Sequence, residues 1–131
     1  MQTEIGKNCS VRILSRTDGK KSFFSSAGNC TKNDTSCALV YRQENSIVRI
    51  EAQENVVRMS REGDLYLNLC FLSGKLTEGE IGLDANAKGT VSVYTRSVQI
   101  SYDKGVKIVL DYTLRFSESE TQNVFLQLIA E

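Results

Sequence analysis

Strict alternation of apolar and polar side chains is the feature that most constrains what this sequence can fold into. The pattern is clearest from Val106 to Phe116, where every second residue is apolar. Successive side chains of a β-strand point to opposite faces of a sheet, so this period predicts a strand with one buried face. The segment from Asp64 to Phe71 repeats the pattern. No segment shows helical periodicity over more than a turn or two, and the chain is therefore predicted to be all-β.

Weaker alternation of the same kind runs through the rest of the chain. Together the segments indicate about ten strands joined by short loops. The weaker segments are Cys9 to Leu14, Ser22 to Ala27, Cys37 to Gln43, Ile47 to Ala52, Asn55 to Arg61, Thr77 to Leu83, Thr90 to Tyr102 and Val124 to Ile129. Asp18-Gly19 and Glu62-Gly63 suit two-residue hairpin loops, and Ser73-Gly74 and Asp103-Lys104-Gly105 suit tight reversals. Consecutive strands are therefore expected to pair antiparallel.

The strand from Thr90 to Tyr102 changes phase partway along its length. Its apolar residues shift from odd to even positions between Thr95 and Ser97. This slip predicts a β-bulge, which lets a long strand bend around a barrel. A meander of long strands and short loops closes most simply on itself, which removes exposed edges. We therefore predict an antiparallel up-and-down β-barrel of about ten strands, as one domain over residues 1–131.

The charge composition argues against several classes of function. Lys and Arg number 16, Asp and Glu number 16, and there is no histidine. A net charge of zero gives no field that would steer the chain to nucleic acid, and no apolar run is long enough for a membrane helix. Without histidine the chain lacks the usual general base and the commonest metal ligand. We expect no enzyme activity, no metal and no cofactor and, since no apolar leader is apparent, a cytoplasmic location.

The four cysteines do not suggest a metal site either. Cys9, Cys30, Cys37 and Cys70 lack the close pairing typical of zinc ligands. Cys30 and Cys37 can face each other across a hairpin, although a cytoplasmic chain would keep them as thiols. Ordinary, partly buried thiols are the simplest interpretation.

The hairpin at Glu62-Gly63 provides the candidate ligand site. A two-residue loop would pair Arg58 with Leu67 and place both on one face of the sheet. If that face is the barrel interior, Arg58 and an inward Tyr112 offer a cation and a hydroxyl to an anionic ligand. The alternative is that Arg58 lies near the barrel mouth, or in a shifted register, and pairs with a neighbouring carboxylate.

The opposite face of the same hairpin would carry Val57, Met59 and Tyr66. An apolar patch on the outer wall favours self-association, so these residues are a candidate homodimer surface. The alternative is that loops or the N-terminal strand cover the patch. Arg61, beside the turn, is expected to form a cross-strand ion pair with Asp64 that fixes the register.

Three stretches of the sequence resemble a known family. They are Arg61-Glu62-Gly63-Asp64 followed by Leu69-Cys70-Phe71 and Gly74, the strand Gly89 to Arg96, and Leu110 to Leu114. With these stretches the chain resembles the bacterial YwiB-like proteins, a domain of unknown function with a calycin-like β-barrel. The resemblance implies a ten-stranded barrel related in shape to lipocalins and fatty-acid-binding proteins, and it implies no known activity. Lys88 stands where that family tends to carry an aromatic residue, so no role of that ring is carried over.

Two functions therefore remain open from the sequence. The first is a non-enzymatic barrel that binds a small apolar or anionic ligand in its interior, with Arg58 and Tyr112 as the candidate ligand contacts. The second is a structural or protein-interaction module with a filled core, which acts through its outer surface and forms a homodimer through Val57, Met59 and Tyr66.

Overall fold

The computed structural model describes residues 7–131, and residues 1–6 of the predicted domain lie outside the described range. The described residues form ten strands and no helix, which confirms the all-β prediction. The strands are β1 (Lys7–Thr17), β2 (Lys20–Lys32), β3 (Ser36–Gln43), β4 (Ser46–Gln53), β5 (Val56–Glu62), β6 (Tyr66–Leu72), β7 (Lys75–Asp84), β8 (Ala87–Ser101), β9 (Val106–Ser117) and β10 (Glu120–Ala130). Residues 7–131 thus contain no helix of the length and apolarity that crossing a bilayer requires.

The strands close into an up-and-down antiparallel barrel. Each strand pairs with its neighbours in sequence, and β1 completes the ring by pairing with β10 as well as with β2. Closure gives every strand a partner on both sides, so the wall has no free edge strand. The predicted architecture is confirmed.

The alternating pattern places the apolar side chains inside the ring. Val11, Phe71, Val93, Leu110 and Leu128 are completely buried and come from five different strands. The predicted bulge is also present, because the pairing of β8 with β9 shifts between Thr95 and Ser97. This shift keeps both halves of β8 apolar on the inner face although the sequence changes phase.

The two ends of the barrel differ. We call the end with the loops after β1, β3, β5, β7 and β9 the upper end, and the other the lower end. At the lower end Lys32 Nζ donates to the carbonyl oxygen of Tyr102 at 2.6 Å, and the Tyr102 hydroxyl donates to the carbonyl oxygen of Thr35 at 3.2 Å. These contacts join the β2–β3 and β8–β9 connections, which lie on different sides of the ring, and so brace the lower end.

The two-residue loop predicted at Glu62-Gly63 is wrong. Arg58 pairs with Cys70 rather than with Leu67, a shift of three residues. The loop between β5 and β6 is longer because it folds against the β3–β4 turn. A Cβ on Gly63 would lie 2.1 Å from the carbonyl oxygen of Asn45, and Gly63 has a φ of 141°. Only glycine allows this close approach without strain.

A shift by an odd number of residues exchanges the two faces of a strand. Val57 is therefore completely buried, Met59 packs against the core, and Arg58 is exposed on the outer wall. This register shift makes two predictions wrong: Arg58 does not face inward, and Val57 and Met59 do not face outward. Tyr66 does lie on the outer wall, because its strand neighbours Leu67 and Leu69 face inward.

Candidate functional site

The inward-facing arginine of β5 is Arg61. Its partners across the ladder are Val48 and Leu67, and Val48 is only 3% exposed. Residues directly opposite each other in a sheet share a face, so Arg61 lies on the inner face near the upper end. Its side chain is 14% exposed. The sequence pattern predicted Arg58 as the inward arginine, and this prediction is wrong because the inner-face position belongs to Arg61.

Ser46 and Asp64 form a clamp at the upper rim of the barrel, and this clamp holds the Arg61 side chain. Arg61 Nη2 lies 3.1 Å from Asp64 Oδ1, and the buried Ser46 hydroxyl donates to the same carboxylate oxygen. The backbone N–H of Asp64 donates in turn to Ser46 Oγ at 3.2 Å. The Ser46 hydroxyl first, and then Arg61, hold the pKa of Asp64 below its usual range. The predicted contact between Arg61 and Asp64 is confirmed, but it is not a cross-strand pair, because Arg61 lies opposite Leu67 in the ladder and Asp64 lies in the loop. Asp64 is an anion at neutral pH.

One donor of the Arg61 guanidinium has no such partner. Its Nε is buried and forms no hydrogen bond with any residue in 7–131. A buried N–H without an acceptor costs about 1–3 kcal/mol, so it marks a place where an acceptor would be stabilising.

Two tyrosines extend this polar region into the core. Tyr112 is 5% exposed and Tyr41 is 4% exposed, and burial raises the pKa of Tyr112 to about 12. Burial also raises the pKa of Tyr41, an effect that Arg61 opposes and Tyr112 reinforces. Both phenols are therefore neutral at physiological pH and keep a hydroxyl proton to donate. The predicted inward position of Tyr112 is confirmed, and its ring packs 4.5 Å from that of Phe71.

The upper end also offers apolar surface and space. The core-packed side chains of Leu67, Ile81 and Phe116 are only partly buried. Gly89 pairs with Ile81 on this inner face, and a Cβ built on Gly89 would have no heavy atom within 4 Å. The space at Gly89 is therefore open, and it lies in the same ladder row as Arg61.

The remaining predicted site residues are not brought to this region. Arg58 lines a groove of about 370 Å³ on the outer wall, together with Asn68, Cys70, Glu78, Glu80 and Thr90. The Tyr66 hydroxyl donates to Glu80 at 3.3 Å, and Lys88 Nζ lies 5.0 Å from the centre of the Tyr66 ring. Tyr66 is thus partly covered by charged neighbours and does not form an open apolar patch.

Cys9, Cys30, Cys37 and Cys70 form no disulfide. Cys30 pairs with Leu39 and Cys37 pairs with Lys32, so the two cysteines lie on paired strands, two residues out of register. Burial, and to a lesser extent the nearby Cys30, raise the pKa of Cys37 to about 11. Among the residues that the structure describes, no three His, Cys, Asp or Glu side chains are grouped to hold a metal ion.

Sequence reasoning from the pattern alone missed the inner-face position of Arg61 and the part that Ser46 plays in the clamp. The available signal was the Arg61-Glu62-Gly63-Asp64 motif, which stood out by resemblance rather than by periodicity. The motif brings together the arginine, the glycine that allows the close loop contact and the carboxylate that pairs with Arg61.

Comparison with known proteins agrees with the architecture. The chain is similar to the ywiB protein from Bacillus subtilis, whose crystal structure superimposes with a TM-score of 0.74 at 16% sequence identity, over 96% of this chain and 93% of that chain. At this identity the similarity shows the fold alone. No curated protein matches the sequence. The family model described as a domain of unknown function, DUF1934, matches residues 9–128. This match spans nearly all of the barrel, and the chain therefore belongs to the DUF1934 family.

Proposed function

We propose that the upper end of the barrel binds a small, largely apolar molecule that carries an anionic or hydrogen-bond-accepting group. The observation that supports this most strongly is Arg61, a buried cation whose Nε has no acceptor among residues 7–131. A ligand oxygen placed at Nε would remove the cost of that unpaired donor. The inward hydroxyls of Tyr41 and Tyr112 supply further donors in the same half of the barrel.

The apolar part of the ligand would occupy the open space at Gly89. Leu67, Ile81 and Phe116 line the upper end and remain partly accessible. Burying such apolar surface stabilises a complex by about 25 cal/mol of free energy for each Å² removed from water. Small-molecule sites commonly combine apolar walls with a few convergent polar groups, and the upper end has both.

The proposal includes a non-catalytic role in the cytoplasm. The chain has no histidine to serve as a general base. Asp64 is held as an anion by Ser46 and Arg61, which makes it a poor proton acceptor.

A matched pair of fluorescent dyes tests the proposal. 1-Anilinonaphthalene-8-sulfonate carries a sulfonate, and N-phenyl-1-naphthylamine has the same rings without it. We expect both dyes to bind, and Arg61→Met to weaken binding of the sulfonate by about tenfold, the equivalent of one charged hydrogen bond. Binding of the neutral dye should change little, because methionine keeps an apolar stem.

Arg58→Met is the matched control, since it removes the same charge from the outer wall of the same strand. Gly89→Phe should weaken the binding of both dyes by filling the open space at this position. Thermal unfolding would establish that each variant is folded. The proposal is wrong if the native protein binds neither dye, or if Arg61→Met and Arg58→Met have the same effect.

A second candidate function is supported by the outer wall. Leu76 is 68% exposed and pairs with Tyr94, while Phe23 is 67% exposed and pairs with Leu14. Exposed apolar pairs favour protein contacts, so an interaction module or homodimer would use these pairs rather than Val57 and Met59. Analytical ultracentrifugation would support this if the native chain self-associates and either Leu76→Lys or Phe23→Lys abolishes association. A monomer at every concentration would exclude the homodimer.

A further inference from the structure

We propose that Asp64 sets the charge selectivity of the upper site and restricts it to ligands with a neutral or, at most, singly charged accepting group. This inference rests on the proposed function. It starts from the geometry of one side chain, Arg61. Its Nη2 is 3.1 Å from Asp64 Oδ1, whereas its Nε is buried without a partner in the described part of the chain. Nε and Nη2 lie on the same edge of a guanidinium, so Asp64 stands beside the unpaired Nε rather than across the group from it.

The carboxylate is fixed rather than free to move aside. It accepts the Ser46 hydroxyl, its own backbone N–H donates to Ser46 Oγ, and Ser46 is 1% exposed. Gly63 packs against the Asn45 carbonyl and holds the loop beneath it. An incoming anion would therefore meet Arg61 and Asp64 together, a pair with no net formal charge.

This balance decides which ligand groups fit. A carbonyl or hydroxyl oxygen can accept from Arg61 Nε without encountering repulsion from Asp64. A singly charged group gains the same hydrogen bond but is opposed by the carboxylate, and a doubly charged phosphate is opposed more strongly.

Asp64→Asn tests the inference with the same two dyes. The amide keeps the size of the carboxylate and removes its charge. We expect affinity for the sulfonate dye to rise about tenfold and affinity for the neutral dye to remain within about twofold. Asp111→Asn is the matched control, because Asp111 also pairs with an arginine, Arg96, at 2.6 Å but on the outer wall. Asp111→Asn should leave the affinity for both dyes unchanged.

The outcomes separate the two proposals. If Arg61→Met weakens the sulfonate dye but Asp64→Asn does not strengthen it, or strengthens both dyes equally, the role of Asp64 is wrong and the binding site stands. If neither the native protein nor Asp64→Asn binds either dye, both proposals are wrong. Asp64→Ser, which also removes the charge and keeps a hydroxyl near Ser46, carries the same expectation should the asparagine variant fail to fold.

Discussion

Arg61 Nη2 and Asp64 Oδ1 lie 3.1 Å apart, and this ion pair links the inner face of β5 to the loop that follows it. The Nε of the same guanidinium is buried and has no partner among residues 7–131. Ser46 joins the pair to the β3–β4 turn. The upper end of the barrel is thus organised around one buried cation that is only partly satisfied.

Gly63→Ala should destabilise the protein by about 2 kcal/mol or more. The added Cβ would lie 2.1 Å from Asn45 O and 2.7 Å from the Cα of Ser46, and both are backbone atoms. Gly89→Ala is the matched control, because space is open there. Urea unfolding at pH 7 measures both variants, and equal stabilities would contradict the packing of this loop.

Asp64 should make stability depend on pH in the acid range. Its pKa is lowered in the folded state, so its stabilising contribution is complete above the unfolded value and is lost as pH falls through the folded value. The loss of stability between pH 5 and pH 2 should therefore be smaller in Asp64→Asn than in the native protein. The check is the urea midpoint measured across this range, and parallel curves would rule out the contribution.

Thr95→Val should leave stability unchanged or raise it by about 1 kcal/mol. Thr95 is completely buried, and its Oγ1 has no hydrogen-bond partner in the described range. Valine has nearly the same shape and removes the unpaired hydroxyl. Thr77→Val provides the contrast, because Thr77 Oγ1 donates to Cys70 O at 2.6 Å and its loss should cost about 1 kcal/mol. A marked loss of stability in Thr95→Val would show that its hydroxyl has a partner after all.

Cys37 should resist alkylation in the folded protein. It is 6% exposed, and its pKa is raised to about 11, so little thiolate is present at pH 8. Iodoacetamide labelling followed by mass spectrometry should modify Cys37 only after unfolding in urea. The variant Cys37→Ala should show the same native labelling as the original chain, and rapid modification of native Cys37 would disprove the prediction.

The sequence by itself determined the class of fold and most of the wall. Alternation from Val106 to Phe116 predicted an inner face that is buried in the structure, and the phase change at Thr95 to Ser97 predicted the bulge. Both signals are local, because the alternation of side chains between the two faces of a sheet is set within a single strand. For the same reason the inward position of Tyr112 could be predicted.

Only the tertiary structure decided which arginine faces inward. The register of β5 against β6 depends on the length of their loop, and that length is set by contacts of Gly63 and Asp64 with Asn45 and Ser46. These residues are distant in sequence, so no pattern within the hairpin reveals the contact. A shift of three residues exchanges the two faces of the strand. The longer loop therefore places Arg58 on the outer wall, Val57 in the core and Arg61 on the inner face.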